Sequence, residues 1–281
     1  MDLPKENWSN ELRKISPKVE HLYCKGNIDL LLNNAPKLAI VGSRRMTDYG
    51  QRVIEKWMPK LVQKGITIVS GFMYGVDQTA HRACVENGGK TIAVLGWGID
   101  RKVAGEDEKL YQKIIEVNSL IASEYEGEYP ADRWTFPARN RIVAGIADVV
   151  LVVEAAEKSG SLITARLAKR FGKKLLAVPG PVNSRVSEGT NNLIKNGKAV
   201  MVMSAEDVLE EMNLGVGQIK IEFGNKFPKS PVLEALEGGE KGVDELVRIL
   251  QMPVSKLLEE ILTMELEGYI EEKNGKYLRI L

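Results

Sequence analysis

From Lys37 to about Met212, short β-rich apolar runs alternate with longer stretches whose apolar residues recur at helical spacing. The runs are Leu38–Val41, Ile66–Ser70, Thr91–Leu95, Leu120–Ser123, Val149–Val153, Leu175–Val178 and a weaker Ala199–Met203. Near-continuous apolarity of this kind marks strands buried on both faces, as in a parallel sheet covered by helices. Helices are predicted near Gly50–Lys64, Asp77–Asn87, Glu106–Val117, Asn140–Ala147, Leu162–Phe171, Asn191–Asn196 and Ala205–Met212. The pattern predicts an α/β fold in which a doubly wound, mainly parallel, Rossmann-like sheet spans residues 37–213 behind an N-terminal extension over 1–36. Right-handed crossovers then place helices on both faces.

Residues 214–229 break both periodicities and carry three glycines and one proline, as a linker does. Residues 230–281 read as a second, smaller domain with helices over Ser230–Leu236, Val243–Leu250 and Ser255–Leu266. Two short strands follow, joined at Asn274-Gly275, a pair that tolerates the positive φ of a tight turn. Three helices and a hairpin are the layout of a winged helix.

The whole chain of 281 residues carries 39 basic and 38 acidic residues, so bulk positive charge is not its means of binding. Residues 230–281 hold 6 Lys/Arg against 11 Asp/Glu, which moves the positive excess to the first part and directs a polyanion there. Cys24 and Cys84 stand far apart without a CxxC pattern, and there are 2 histidines. Neither a disulfide framework, a metal site nor a cofactor is expected. The N-terminus is polar, and no run approaches the roughly 18 apolar residues of a membrane helix. A cytoplasmic protein that avoids membranes is the expectation.

In an open parallel sheet, ligands bind where loops leave the carboxyl ends of the strands. Here those loops bear glycines: Gly42-Ser43-Arg44-Arg45, Gly71 to Gly75 before Asp77, Gly96-Trp97-Gly98, Ser159-Gly160-Ser161 and Pro179-Gly180-Pro181. Gly42 or Gly96 alone would be an ordinary tight turn, but together on one edge they predict a phosphate-binding rim. The guanidinium of Arg44, nearer the strand end than Arg45, can fork onto a phosphate. Ser159-Gly160-Ser161 reads either as an anion-binding helix start or as a plain cap. Arg139, Asn140 and Arg141 add two guanidiniums and an amide, while Trp134 and Phe136 are either stacking faces for bases or core aromatics. Asp77 and His81 share a helix face and could form a base, or simply pack. No Ser–His–Asp set appears, and the spacing in GSRRMTDYG is not the dinucleotide fingerprint.

Taken in order, IVGSRRMTDYG, SGFMYGVDQTAH, TIAVLGWGID, SEYEGEYPADRWTFPARNRIVAG, VVEAAEKSGSLITA and AVPGPVNSRVSEGTNNLIKNG resemble the DNA-processing protein A family, also called Smf. The resemblance covers roughly residues 37–200. It implies a non-catalytic single-stranded DNA binder that homodimerises and loads the recombinase RecA onto the strand, protecting incoming DNA during natural transformation. Arg44 then matches the main phosphate-gripping arginine, with Ser43, Gly71, Gly75, Arg139, Asn140, Arg141, Ser159, Gly160 and Ser161 in motifs lining the same pocket. The chain departs from the family at Arg101–Gly105, where a Tyr-Pro and an Asn are usual, and its 36 residues before the first strand are too few for the helical domain many members carry. The acidic winged helix reads as an interaction module, because net negative charge opposes duplex binding.

Two other functions compete. A nucleotide phosphoribohydrolase would share the phosphate rim, but its PGGxGTxxE signature is replaced by EAAEKSGSLITA, leaving Glu154 and Glu124 as candidate acids. A nucleotide-sensing transcription regulator would read duplex DNA with Ser255–Leu266, where Lys256 is the sole basic residue beside Glu259, Glu260 and Glu265.

Overall fold

The computed structural model describes residues 2–214, 230–266, 269–273 and 275–280. The chain divides into two compact units, Met1–Val216 and Gly217–Leu281. Beyond Leu214, the segment expected to be a linker lies outside the described residues.

The first unit holds strands β1 (Tyr23–Gly26), β2 (Lys37–Val41), β3 (Thr67–Ser70), β4 (Thr91–Leu95), β5 (Leu120–Ser123), β6 (Val149–Val152), β7 (Lys174–Ala177) and β8 (Val200–Met201). Its helices are α1 (Asn10–Arg13), α2 (Asp29–Leu32), α3 (Asp48–Gln63), α4 (Val76–Glu86), α5 (Glu106–Glu116), α6 (Thr135–Ile146), α7 (Ser161–Arg170), α8 (Glu188–Lys195) and α9 (Ala205–Glu211). The strands form one sheet in the order β1-β5-β4-β3-β2-β6-β7-β8. All neighbours pair in parallel except β1, which runs antiparallel to β5. From β2 the chain steps outward through β3, β4 and β5, then returns to the other side of β2 as β6 and continues to β7 and β8. Successive connections therefore diverge between β2 and β6, and a crevice opens above their carboxyl ends.

Both faces of β2 are buried, and its side chains alternate between two cores. Leu38 and Ile40 pack with Ile54, Trp57, Met58 and Leu61 of α3 and with Ala80 and Cys84 of α4. Ala39 and Val41 join Ile142, Val143 and Ile146 of α6 and Ala165 and Ala168 of α7. The first 36 residues belong to that second core, through Leu3, Trp8, Leu12, Ile15, Val19 and Leu22. Trp8 Nε1 donates to the Leu3 carbonyl at 2.9 Å, so even the polar tip of this ring is satisfied inside. The sequence pattern does not show β1, because as an edge strand it buries only Cys24.

Helix α6 starts at Thr135, five residues ahead of the expected start at Asn140. Pro137 looks like a break in the sequence, but it falls in the first turn, where its missing N–H would have had no helical partner.

The second unit comprises α10 (Pro231–Ala235), β9 (Lys241–Gly242), α11 (Val243–Leu250), α12 (Val254–Leu266), β10 (Ile270–Lys273) and β11 (Lys276–Arg279), with its strands ordered β10-β11-β9. This is a winged helix. Ser230 caps α10 by accepting from Val232 N at 3.2 Å, with Pro231 in the first position. Leu233, Leu246, Leu257, Ile261 and Ile270 make its core. The two-residue strand β9 is too short for a periodicity to show.

The N-terminal segment is thus expected to be integral to the first unit. Leu22→Ala, at a position with 0% exposure, is expected to lower the unfolding free energy by about 2–5 kcal/mol, measured by urea denaturation; a change near zero would place the segment outside the cooperative core.

Candidate functional site

A cleft of about 950 Å³ opens above β2 and β6, where the connections diverge. One wall is the loop after β2. Ser43 pins that loop: its N–H donates to the Glu154 carbonyl at 2.7 Å, its carbonyl accepts from Val76 N at 3.2 Å, and its hydroxyl accepts from Arg45 N at 3.0 Å. Arg44 and Arg45 are left exposed on the rim. The Arg44 guanidinium lies 5.0 Å from the centre of the Phe136 ring and 5.9 Å from that of Tyr74, so two π-faces hold it in place while its donors stay open to a ligand. Phe136, read as either stacking face or core, supports Arg44 from a half-buried position.

The opposite wall is the start of α7. Ser159 Oγ lies 2.7 Å from Ser161 Oγ and accepts from Ser161 N at 3.3 Å, so it holds the first N–H of α7 from just outside the helix, whose N-cap, Gly160, has no side chain to cap with. Ser159, Gly160 and Ser161 nevertheless all line the cleft, which places the positive end of the helix dipole there. Gly42, Gly71 and Asn140 also line it. Five exposed cations stand around the opening, Arg44, Arg45, Arg133, Lys158 and Arg185, against the acidic Asp77, Glu157 and Glu188. Arg133, Lys158 and Arg185 were not singled out from the sequence. None of the three stands next to a strand end, and Arg185 reaches the cleft only through the segment between Pro181 and α8.

Four expected residues stand differently. Arg139 is 2% exposed, and its Nη1 donates to the carbonyls of Gly71 and Val94 at the ends of β3 and β4. Its guanidinium therefore forms the floor of the cleft and ties strands together. Burial pushes the Asp77 carboxyl above its ordinary range and pulls Arg139 down to about 10, each charge partly offsetting the other's loss of water. Arg141 is not on the cleft. It is clamped by the Glu124 carboxylate and donates through Nε to the Pro17 carbonyl at 2.9 Å, because helical spacing turns it away from Arg139. Gly75, at φ 83°, packs where an added Cβ would lie 2.4 Å from the Ser43 carbonyl oxygen, and Gly96 leaves 2.9 Å to the Phe136 ring. Both glycines serve close packing behind the rim rather than lining the cleft.

The pair Asp77 and His81 does not form a base. Thr91 Oγ1 donates to the Ile68 carbonyl at 2.8 Å, so the proton between His81 Nδ1 and Thr91 Oγ1, 2.7 Å apart, lies on the imidazole. Nε2 is left buried without a partner, and burial holds the ring's pKa down to about 3. Nor do the two candidate acids face the cleft. Glu154 is 1% exposed and accepts from Thr47 N at 2.8 Å and Thr47 Oγ1 at 2.6 Å, holding the start of α3 from the loop after β6. Glu124 is held by Arg141.

The model of DNA recombination-mediator protein A matches residues 2–213, and that of the DprA winged helix domain matches residues 228–276. The chain belongs to the DNA recombination-mediator protein A family. Protein Smf of Escherichia coli is 35% identical over 269 residues, which cover 92% of this chain and 71% of Smf. The DNA processing protein DprA of Streptococcus pneumoniae is 44% identical over 191 residues, 68% of this chain and 66% of that protein. The X-ray structure of the pneumococcal protein superposes with a TM-score of 0.69 at 38% identity, covering 75% of this chain and 74% of that one. DNA processing protein A of Helicobacter pylori, solved for its single-stranded DNA binding mode, gives 0.68 at 32% identity over 76% of this chain and 96% of its own.

Two stability tests follow from this geometry. Arg139→Ala removes the donor shared by the Gly71 and Val94 carbonyls and the cation that offsets the burial of Asp77, and is expected to cost about 3–5 kcal/mol, whereas Arg44→Ala on the open rim should stay within about 0.5 kcal/mol; equal thermal shifts would contradict the two roles. In the unfolded chain His81 takes a proton near pH 6.5, but in the folded one only near 3. The unfolded state therefore binds more protons between these values, and stability falls as the pH drops through the window, by up to roughly 1.4 kcal/mol per unit. His81→Gln should flatten that part of the stability–pH curve in urea titrations.

Proposed function

We propose that this protein binds single-stranded DNA along the cleft through its phosphates and acts as a recombination mediator, delivering the strand to a RecA-type recombinase. What carries the reading is the ring of five exposed cations about one opening, above a helix start and a glycine-bearing loop. Arg44 is the central grip, with Ser43, Gly42, Gly71, Asn140, Ser159, Gly160 and Ser161 shaping the wall around it. Arg45, Arg133, Lys158 and Arg185 extend the positive field along the strand, and Arg139 acts from beneath as a positioning residue. The H. pylori relative studied with single-stranded DNA supports the class of ligand.

The reading is of a binder rather than an enzyme: Glu154 and Glu124 are spent on internal contacts, and His81 is neutral and enclosed. Phosphate contacts carry no base information, so binding is sequence-tolerant. The homodimer fits the exposed edge at β8, where Val200, Met201 and Met203 are 42%, 46% and 67% exposed. Working on DNA taken up during transformation, it belongs in the cytoplasm.

Arg44→Ala is expected to weaken single-strand binding at every sequence tested, oligothymidine included, and to reduce the slope of log affinity against log salt by about 0.7, read by fluorescence anisotropy over a salt series. Arg185→Ala should lower the slope by a similar amount with little effect on stability. Unchanged affinity and slope in both variants would remove the cleft as the phosphate path.

A further inference from the structure

A second hollow, of about 600 Å³, opens beside the cleft. Pro137 and Ile163 line both, so the two depressions share a wall. Tyr125 and Trp134 line it, and Tyr129 packs against both of them outside the lining. Tyr125 and Tyr129 stack with centroids 4.9 Å apart and planes 15° from parallel, and Trp134 meets them edge-on at 5.9 and 6.5 Å. This arrangement leaves Trp134 55% and Tyr129 39% exposed. Large aromatic surface held rigid and open to water at the mouth of an apolar hollow is a feature of binding surfaces.

Charge decides what the hollow takes. Its two charged residues, Glu124 and Arg141, neutralise each other in an ion pair whose side chains are 15% and 8% exposed. No free cation lines it, so it offers a phosphate nothing, while a flat, uncharged, π-bearing group fits the apolar walls. The adjoining cleft has the opposite character, with cations on an open rim. Arg133 lines that cleft, and the next residue in the chain is Trp134. A phosphate held at Arg133 therefore places its own or a neighbouring base beside the Trp134 ring.

We infer that the hollow, with Trp134 on its wall and Tyr129 packed against that ring, forms a base-stacking subsite for the same unpaired strand whose phosphates lie in the cleft, an inference that rests on the phosphate-path reading. Stacking adds affinity without base selectivity, since every base has a π-face. It also sets the strand's polarity of approach: backbone toward the cations, bases toward Trp134. A duplex keeps its bases paired and cannot use the subsite, so this is where preference for single strands arises.

The test compares an oligothymidine with an abasic strand of equal length on the full chain, in wild type, Trp134→Ala, Trp134→Phe and Tyr129→Ala. Trp8 and Trp57 are buried at 7% and 6% exposure, but Trp97 is half-buried and packs against Phe136 beside the cleft, so the quenching that reports on Trp134 is the part lost in Trp134→Phe. Oligothymidine is expected to quench and the abasic strand not. Trp134→Ala should weaken oligothymidine binding about tenfold while leaving abasic affinity unchanged, with Trp134→Phe restoring most of the loss and Tyr129→Ala acting in the same direction. If wild type binds both strands equally, or Trp134→Ala weakens both alike, the subsite is overturned while the phosphate path stands. If neither strand binds, both readings fall together, and a protein segment becomes the occupant to seek.

Discussion

Everything at the site depends on the divergence of the chain between β2 and β6. The loop after β2 leaves toward α3 and the loop after β6 toward α7, so two glycine-bearing turns face each other across an opening with nothing to fill it. That opening would be poorly defined if the two loops were held only by their own turns. Instead they are bonded to one another: Ser43 N–H to the Glu154 carbonyl, and the buried Glu154 carboxylate to both the N–H and the hydroxyl of Thr47. A carboxylate at the start of α3 meets the positive end of that helix, which offsets the loss of water around a charge at 1% exposure. The rim is therefore stiff at its base while Arg44 and Arg45 remain open above it.

The same economy of charge explains why three arginines of one loop-and-helix region have three different roles. A buried guanidinium is tolerable only when its donors are taken, and Arg139 meets that condition with two carbonyls at the ends of β3 and β4 and with Asp77 beside it. Arg141, two residues on, points to the other side of α6 and is satisfied by Glu124 and by carbonyls of Pro17 and Lys18, joining the N-terminal segment to the helix. Arg133 precedes the helix and stays exposed on the cleft. Within ten residues, the difference between floor, clamp and rim is set by helical geometry and by which carbonyls lie within reach.

Partners far away in sequence are what the order of residues alone does not show. The strands from β2 to β7 were legible because double burial leaves an unmistakable apolar run, and the site's place followed from the loops at their carboxyl ends. Arg44 is legible by position, because it follows a strand end and a glycine on the sheet edge where ligands bind. Arg139 and Arg141 were not separable, since both are arginines beside an aromatic and their fates depend on carbonyls of Gly71, Val94 and Pro17 far away in sequence. Gly75 and Gly96 carried the same glycine signal as Gly42 but spend it on packing against Ser43 and Phe136. Arg185 escaped notice for the converse reason, because it lies well beyond the strand end and is brought back only by the path of the chain to α8. The N-terminal core residues Leu3, Trp8 and Leu12 have no common period and became visible only as partners of α6 and α7.

The winged helix shows what the missing positive charge means physically. Helix α12 exposes Val254, Leu258 and Leu262 at 50%, 45% and 56%, one turn apart on one stripe, beside Glu259 and Glu265. A helix that reads a DNA groove needs donors for base edges and cations for phosphates, and this surface presents methyl groups and carboxylates instead. Acidic residues close to a phosphate backbone would lower affinity at every position and more strongly at low salt. The winged helix thus presents a surface unsuited to a polyanion, whereas the exposed cations of the first unit stand around its cleft.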